Sequence, residues 1–200
     1  MDTILVIISN PKESISRSDR ELLAAGRILA DQMSGQLMAG IFGNSVEESH
    51  AKETISYGAD RAYVSADPLL VEENSEVAMQ AVETLIQEVK PQAIIFIDKT
   101  SSREIAPRLA YRLKTGCVLD CVEMKVEENT GHLLLTKPIY GGKAVALFTA
   151  SQIPVVVVLR TRTIDPAAES DQNRQTDIKN LSLSLDSSRV RTRLVERILE

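Results

Sequence analysis

The 200-residue sequence has few of the residues that build disulfide frameworks and metal centres. Its two cysteines, Cys117 and Cys121, are too few for a disulfide framework and lack the C-x-x-C spacing of a redox or metal motif. We expect them to be buried thiols in a reducing compartment. The two histidines, His50 and His132, stand alone, and neither belongs to a metal-ligand motif. The sequence therefore predicts no metal site.

Catalytic and phosphate-binding motifs are missing as well. There is no G-x-S-x-G, no H-E-x-x-H and no cysteine paired with a plausible base, so we expect no catalytic site. Neither a Walker A loop nor a G-x-G-x-x-G turn is present, although both use glycine to bring the backbone close to phosphate. These absences argue against an enzyme.

Positive charge is in deficit. The chain has 23 Lys and Arg against 28 Asp and Glu, a net charge of -5, so its averaged field repels nucleic acid and anionic membranes. The first apolar run, residues 4–8, has no basic segment before it and is far too short to span a bilayer. We expect a cytoplasmic protein with no nucleic-acid partner and no membrane insertion.

The sequence does contain an alternation of short apolar runs with amphipathic stretches, which is typical of βαβ units around a parallel sheet. The predicted strands are residues 4–8, 37–42, 61–64, 93–97 and 153–159. The β-branched content of the first and fourth predicts burial on both faces and a central place in the sheet. The predicted fold class is α/β, with three layers and a mostly parallel sheet flanked by helices.

Helix boundaries are predicted from capping motifs. Three S-x-x-E boxes predict helix starts, at Ser18 with Glu21, Ser45 with Glu48, and Ser101 with Glu104. Gly35, Gly58 and Gly116 are predicted to be the left-handed residues that end helices. Pro107 follows the last start closely, so that helix is expected to begin later or to kink.

The pattern changes after residue 116. Residues 118–126, 132–138 and 143–149 are strand-like segments separated by short turns, which predicts a β-hairpin extension. Residues 1–162 are predicted to form one α/β domain. Residues 163–200 are predicted to be a polar linker that ends in a short amphipathic helix over residues 187–200.

Ligands of open parallel sheets bind at the carboxyl ends of the strands. Ser9, Asn10, Asp98 and Thr100 lie at those ends in this sequence. They are weak candidates for a nucleotide pocket, because the loops lack glycine and the serines are explained equally well as helix caps. A stand-alone adenine-nucleotide-binding module is therefore the alternative hypothesis.

Four segments, taken in order, carry a family resemblance. They are GADRAYV at residues 58–64, SREIAPRLA at 102–110, DC at 120–121 and KPIYGGKA at 137–144. In order and spacing they resemble the N-terminal domain of electron transfer flavoprotein alpha subunits of the FixB type, over about residues 4–160. The motif positions are Arg103, Pro107, Arg108, Asp120, Pro138, Tyr140, Gly141 and Gly142.

The resemblance implies an adenine nucleotide alpha hydrolase-like fold in an electron carrier rather than an enzyme. The family pairs with a beta subunit and carries electrons from acyl-CoA-type dehydrogenases through FAD. It holds that FAD mainly in a C-terminal domain whose motifs have no counterpart in these 200 residues. We therefore expect a scaffold that docks the beta subunit, leads toward an absent FAD domain and binds no cofactor alone. Arg103 is expected to bridge carboxylates or the partner surface, and Gly141 and Gly142 to form a turn with positive φ.

Overall fold

Four strand-helix units open the fold. The computed structural model describes residues 2–71, 74–169 and 177–192, together with residues 196 and 198. The first elements are β1 (Thr3–Ser9), α1 (Arg17–Gln32), β2 (Gln36–Gly43), α2 (Glu48–Ser56), β3 (Arg61–Ala66), α3 (Ser75–Val89), β4 (Ala93–Ile97) and α4 (Thr100–Leu113). The predicted strands of this part agree with β1 to β4 to within about two residues at each end.

Strands dominate the rest of the chain. They are β5 (Cys117–Cys121), β6 (Glu123–Val126), β7 (Leu133–Ile139), β8 (Ala144–Ala150), β9 (Val155–Leu159) and β10 (Ile178–Asn180). In the described residues the large sheet has the order β10-β3-β2-β1-β4-β9-β5, with every pair parallel. The small sheet has the antiparallel order β6-β7-β8. The single strand predicted over residues 118–126 is thus two strands, one in each sheet.

Helices cover both faces of the large sheet, as the predicted three-layer α/β class requires. Residues of α1 and α2 join one buried cluster, and residues of α3 and α4 join the other. Strand residues alternate between the clusters, with Ile4 and Val6 in the first and Leu5 and Ile7 in the second. Every residue of β4 and β9 is buried, and β1 and β4 are central as predicted.

The three predicted capping boxes are wrong. Helix α1 is capped two residues earlier, where Ser16 Oγ accepts from the N–H of Asp19 at 3.2 Å and donates to its carboxylate at 2.6 Å. Helix α2 is capped by Glu47, whose N–H donates to His50 Nδ1 at 3.0 Å. Helix α4 begins after extended Lys99 with no side-chain cap. For α1 and α2 another capping residue lies one or two positions away from the boundary that the motif predicts, so the motif alone leaves the start ambiguous.

Two of the three glycines predicted to be left-handed are not. Gly58 has a φ of +111°, but left-handed residues at other helix ends are Ser34, Lys90 and Lys114. Gly35 is required for a different reason, because a Cβ there would lie 2.3 Å from the carbonyl oxygen of Asp2.

Helix α4 runs without interruption through Pro107. It starts at Thr100, so the later start predicted for it is wrong. Proline has no N–H, and the carbonyl one turn before it is left without its helical donor.

Parts of the polar segment after residue 162 pack on the body of the domain. The N–H of Ala167 donates to the carbonyl of Arg20, and β10 extends the large sheet beside β3. Leu181, Leu183 and Leu185 then pack against the cluster under α3. This strand was not predicted. The helix predicted over residues 187–200 is present only as a single 3₁₀ turn, Ser187–Arg189; residues 190–192 are not helical, and six of the fourteen positions lie outside the described residues.

Candidate functional site

The carboxyl edge of the large sheet has a point where the strand order reverses. In the sheet, β2 and β3 lie on one side of β1, and β4, β9 and β5 lie on its other side. Such a switch point is where open α/β sheets bind ligands. A cleft of about 570 Å³ lies there, which we call the switch-point cleft. Its lining includes Ser9, Asn10, Lys12, Asp19, Lys99 and Ser101.

A buried carboxylate governs the charge in the switch-point cleft. Asp19 is 2% exposed and accepts a hydrogen bond from Lys99 Nζ at 3.1 Å. Because Lys99 is already paired, an anion entering the cleft has to compete with Asp19. The loops at residues 9–16 and 99–102 contain no glycine, the residue that lets a backbone approach phosphate closely in such cradles. The cleft does not fit the pyrophosphate of FAD.

The predicted pocket of Ser9, Asn10, Asp98 and Thr100 is split by the structure. Ser9 and Asn10 line the switch-point cleft, whereas Asp98 lines a second cleft. Thr100 is exposed at the first position of α4 and lines neither cleft. Asp98 and Lys99 are adjacent in sequence, but Asp98 lines the second cleft and Lys99 lines the switch-point cleft.

The second cleft, of about 490 Å³, is lined by two ion pairs and Leu119; we call it the paired-ion cleft. Arg103 donates to both carboxylate oxygens of Asp98, at 2.5 and 2.6 Å. Arg160 donates to both carboxylate oxygens of Asp120, at 2.6 and 2.7 Å. Each guanidinium therefore has its bidentate partner within the cleft.

The ion pairs shift the pKa values of Asp120 and Arg103. The hydrogen bonds from Arg160 lower the pKa of Asp120, and burial opposes that effect. The hydrogen bond to Asp98 raises the pKa of Arg103. The charged forms of Asp120 and Arg103 are therefore favoured.

Asp120 has an unusual backbone. Its φ is +64°, and the pairing of β5 with β9 shifts register between Val118 and Cys121. The bulge turns the Asp120 side chain toward Arg160, which follows β9. Sequence reasoning singled out Asp120 and missed its partner, whose signal was an arginine at the carboxyl end of a buried strand.

The other motif residues lie in two places. Pro107 and Arg108 are on α4, where Arg108 binds Glu104 at 3.0 Å and Glu76 at 3.5 Å. Pro138 and Tyr140 lie where β7 ends and turns toward β8, and Tyr140 is exposed. Gly141 and Gly142 complete that turn with φ of +67° and +87°, in agreement with the predicted positive φ.

Both cysteines are unreactive by environment. Cys121 is buried and Cys117 is half-buried, and burial raises the pKa of each thiol to about 11. Within the described residues no group of three His, Cys, Asp or Glu could hold a metal ion. No helix in the described ranges has the length and apolar character needed to cross a membrane.

The small sheet has an open apolar face that sequence reasoning missed. Met124, Leu133 and Leu135 on its inner face are buried with α1. On the outer face, Val145 and Leu147 of β8 are 64% and 63% exposed. Tyr140 and Ile153 are also exposed, and Phe148, which pairs with Leu135 on the inner side of the sheet, is 44% exposed. The available signal was residues 144–154, eleven positions without a single charge.

The reversed strand order, the helices on both faces and the added antiparallel sheet define a doubly wound α/β domain. The family model "Electron transfer flavoprotein domain" matches residues 4–186, and the chain belongs to this family.

Individual relatives cover most of this chain. It is 32% identical over 176 residues, 88% of its length, to the electron transfer flavoprotein subunit alpha of Thermoanaerobacterium thermosaccharolyticum, and covers 52% of that protein. It is 32% identical over 172 residues to protein FixB of Azorhizobium caulinodans, covering 84% of this chain and 46% of that protein. It is 30% identical over 169 residues to the subunit alpha of Bacillus subtilis, with coverage of 84% and 50%. The chain thus spans about half the length of the curated relatives it matches.

Proposed function

We propose that this chain is the N-terminal half of an electron transfer flavoprotein alpha subunit and acts as a scaffold that docks a beta subunit. The similarity to proteins named subunit alpha supports an assembly with a second subunit. In this proposal the chain works in the cytoplasm as part of an electron carrier. Acyl-CoA-type dehydrogenases supply the electrons to the assembled complex.

The observation that carries the docking role is the open face of the small sheet. Exposed single apolar residues are ordinary, but a contiguous apolar patch on a protein surface marks an interaction site. Val145 and Leu147 lie two residues apart on one strand, so their side chains share that face. Burial of this patch against a partner removes apolar surface from water and stabilises the complex.

The flavin is assigned to polypeptide outside these 200 residues. The switch-point cleft has a paired lysine, a buried carboxylate and no glycine cradle, so it is a poor site for the pyrophosphate of FAD. No electron-transfer step is assigned to the residues of this chain. Their part is to hold the partner subunit in place.

The docking role is tested with purified chain and the electron transfer flavoprotein beta subunit of the same organism. We expect a one-to-one complex by light scattering after gel filtration at about 10 μM of each protein. Leu147→Lys places a charge in the patch and is expected to weaken the complex at least tenfold. Ile28→Lys is the matched control, because Ile28 is an exposed apolar residue on α1. Absence of a complex with the unmodified chain would contradict the proposal.

A stand-alone nucleotide-binding module is the second candidate, and the volume and position of the switch-point cleft favour it. It is tested by calorimetry with AMP and ATP. Binding that is lost in Lys99→Ala would support it. Absence of binding at millimolar ligand would dismiss it, because a site of about 1 mM affinity would be roughly half occupied there.

A further inference from the structure

We propose that the partner subunit binds by adding a strand to the open edge of β8, so that the small sheet continues across the interface. This inference rests on the proposed function and goes further by naming the strand and the mode of contact. Strand addition obtains affinity from main-chain hydrogen bonds and specificity from alternate side chains.

The hydrogen bonds of β7 show which backbone groups of β8 face outward. The carbonyls of His132 and Thr136 accept from Glu127 and Val122, on the β6 side of β7. In an antiparallel ladder, both polar groups of a residue point to the same neighbour, and the direction alternates along the strand. Odd-numbered residues of β7 therefore face β8.

The pairing register of β7 with β8 shows which residues of β8 direct their backbone groups toward β7. Leu135 is paired with Phe148, and Lys137 with Ala146. These pairs exchange their hydrogen bonds, so Ala146 and Phe148 use their backbone groups on β7. The N–H and C=O groups of Val145, Leu147 and Thr149 point to the open edge.

The two edges of the small sheet differ in protection. On β6, Lys125 and Glu123 form an ion pair at 2.7 Å, and the N–H of Val126 donates to Gln32 Oε1 at 3.1 Å. Charges and covering side chains are the ordinary ways in which proteins block an edge strand. On β8, residues 144–150 carry no charge, and no hydrogen bond from a described residue outside the sheet reaches them. An unblocked edge of this kind is suited to a partner strand.

The charges of β8 and of the whole chain indicate which kind of strand can bind to this edge. An uncharged strand accepts an uncharged, apolar strand without burying an unpaired charge. A second copy of this chain brings another net charge of -5 to the contact, which opposes self-association. This chain is similar to a protein named subunit alpha, a name that implies a second, different subunit as the partner. We therefore assign the edge to a strand of the beta subunit.

A proline substitution separates strand addition from simple face packing. Thr149 is exposed, and Thr149→Pro removes an outward N–H without touching a bond to β7. Thr149→Ala changes the same side chain and keeps that N–H. We expect Thr149→Ala to bind the beta subunit within about threefold of the unmodified chain, and Thr149→Pro at least tenfold more weakly. Thermal unfolding of both variants checks that they are folded.

Residue-resolved hydrogen exchange on the unmodified chain gives a second measurement that needs no variant. On addition of the beta subunit, the amides of Val145, Leu147 and Thr149 are expected to slow at least tenfold. Those of Ala146 and Phe148, already bonded to β7, are expected to change by less than about threefold. This alternating pattern is specific to an added strand.

Other outcomes overturn the inference in distinguishable ways. If the unmodified chain binds but Thr149→Pro binds as well as Thr149→Ala, or protection does not alternate, the partner packs on the face and only the docking role stands. If the alternating protection appears in the chain alone as its concentration rises, the occupant is a second copy. If the unmodified chain does not bind the beta subunit, the proposed function fails together with this inference.

Discussion

The large and small sheets differ in how much of their surface is covered by other parts of the described chain. The central strands of the large sheet have neighbours on both edges and helices on both faces, and β4 and β9 are buried throughout. In the small sheet, Leu133 and Leu135 of β7 are buried, but five of the seven residues of β8 are exposed. The large sheet and its helices therefore hold most of the buried core. The small sheet presents surface that the described residues leave open, and this is the surface that the proposed function assigns to a partner.

The sharpest test of this contrast is one substitution made in both sheets. Phe96 on β4 is 2% exposed, whereas Phe148 on β8 is 44% exposed. We expect Phe96→Ala to cost about 3–5 kcal/mol of the free energy of unfolding, because it leaves a cavity in the core. Phe148→Ala is expected to cost roughly half of that or less, because much of its surface is already in water. Urea unfolding of both variants provides the measurement, and equal losses would contradict the contrast.

Close packing at the start of the large sheet predicts the next effect. An alanine Cβ at Gly35 would lie 2.3 Å from the backbone oxygen of Asp2, so Gly35→Ala should destabilise by about 1–3 kcal/mol. At Gly116 nothing lies within 4 Å and φ is not positive. There alanine is expected to stabilise by about 0.4–1 kcal/mol through the unfolded state. Thermal melts compare the two, and a loss at Gly116 would show that β5 is packed more tightly than described.

The ion pair of Asp120 lies at the edge of the large sheet, and a smaller effect is expected there. Asn tolerates the positive φ of this position, so Asp120→Asn removes mainly the charge. Both partners are about a third exposed or more, and the loss should be no more than about 1 kcal/mol at pH 7.

This effect has a defined pH dependence. The folded state lowers the pKa of Asp120, so its contribution is present above the unfolded value of about 3.9 and is lost as pH falls through the folded pKa. The stability difference between the unmodified chain and Asp120→Asn should therefore shrink below about pH 4. Denaturant titrations at pH 3 and pH 7 would reveal a constant difference if this reasoning failed.

The smallest change in stability is expected on the open face itself. Leu147→Ala should alter the free energy of unfolding by no more than about 0.5 kcal/mol, because Leu147 is 63% exposed. The same variant is expected to lose affinity for the beta subunit. A large loss of stability in the free chain would mean that the small sheet depends on Leu147 for its own packing.

Much of the large sheet could be predicted from sequence, because buried strands are dense runs of β-branched residues. β1 and β4 are such runs, and their central positions followed from composition alone. Helix starts were harder, since Ser16, followed three residues later by Asp19, caps α1 two residues before the start that Ser18 and Glu21 predict. Strand β10 was missed because its three residues lie in a polar stretch and only their partner β3 makes them a strand.

The clefts were less accessible to sequence reasoning. Asp98 and Thr100 are two residues apart, yet only Asp98 lines a cleft. Asp120 and Arg160 are 40 residues apart, and their contact depends on a bulge that no local pattern announces. The open face was visible as an uncharged run, but its exposure depends on how β8 is placed in the sheet.

The parallel pairing of β10 with β3 has a consequence for biosynthesis. Arg61 and Asp177, which meet at the start of this pairing, are 116 residues apart. At a translation rate of about 5–20 residues per second, roughly 1–4 s separate the synthesis of β9 from that of Leu181. During that interval the nascent chain has a β3 edge with no neighbour, and the ribosome releases the segment that seals it only after the core strands have been made.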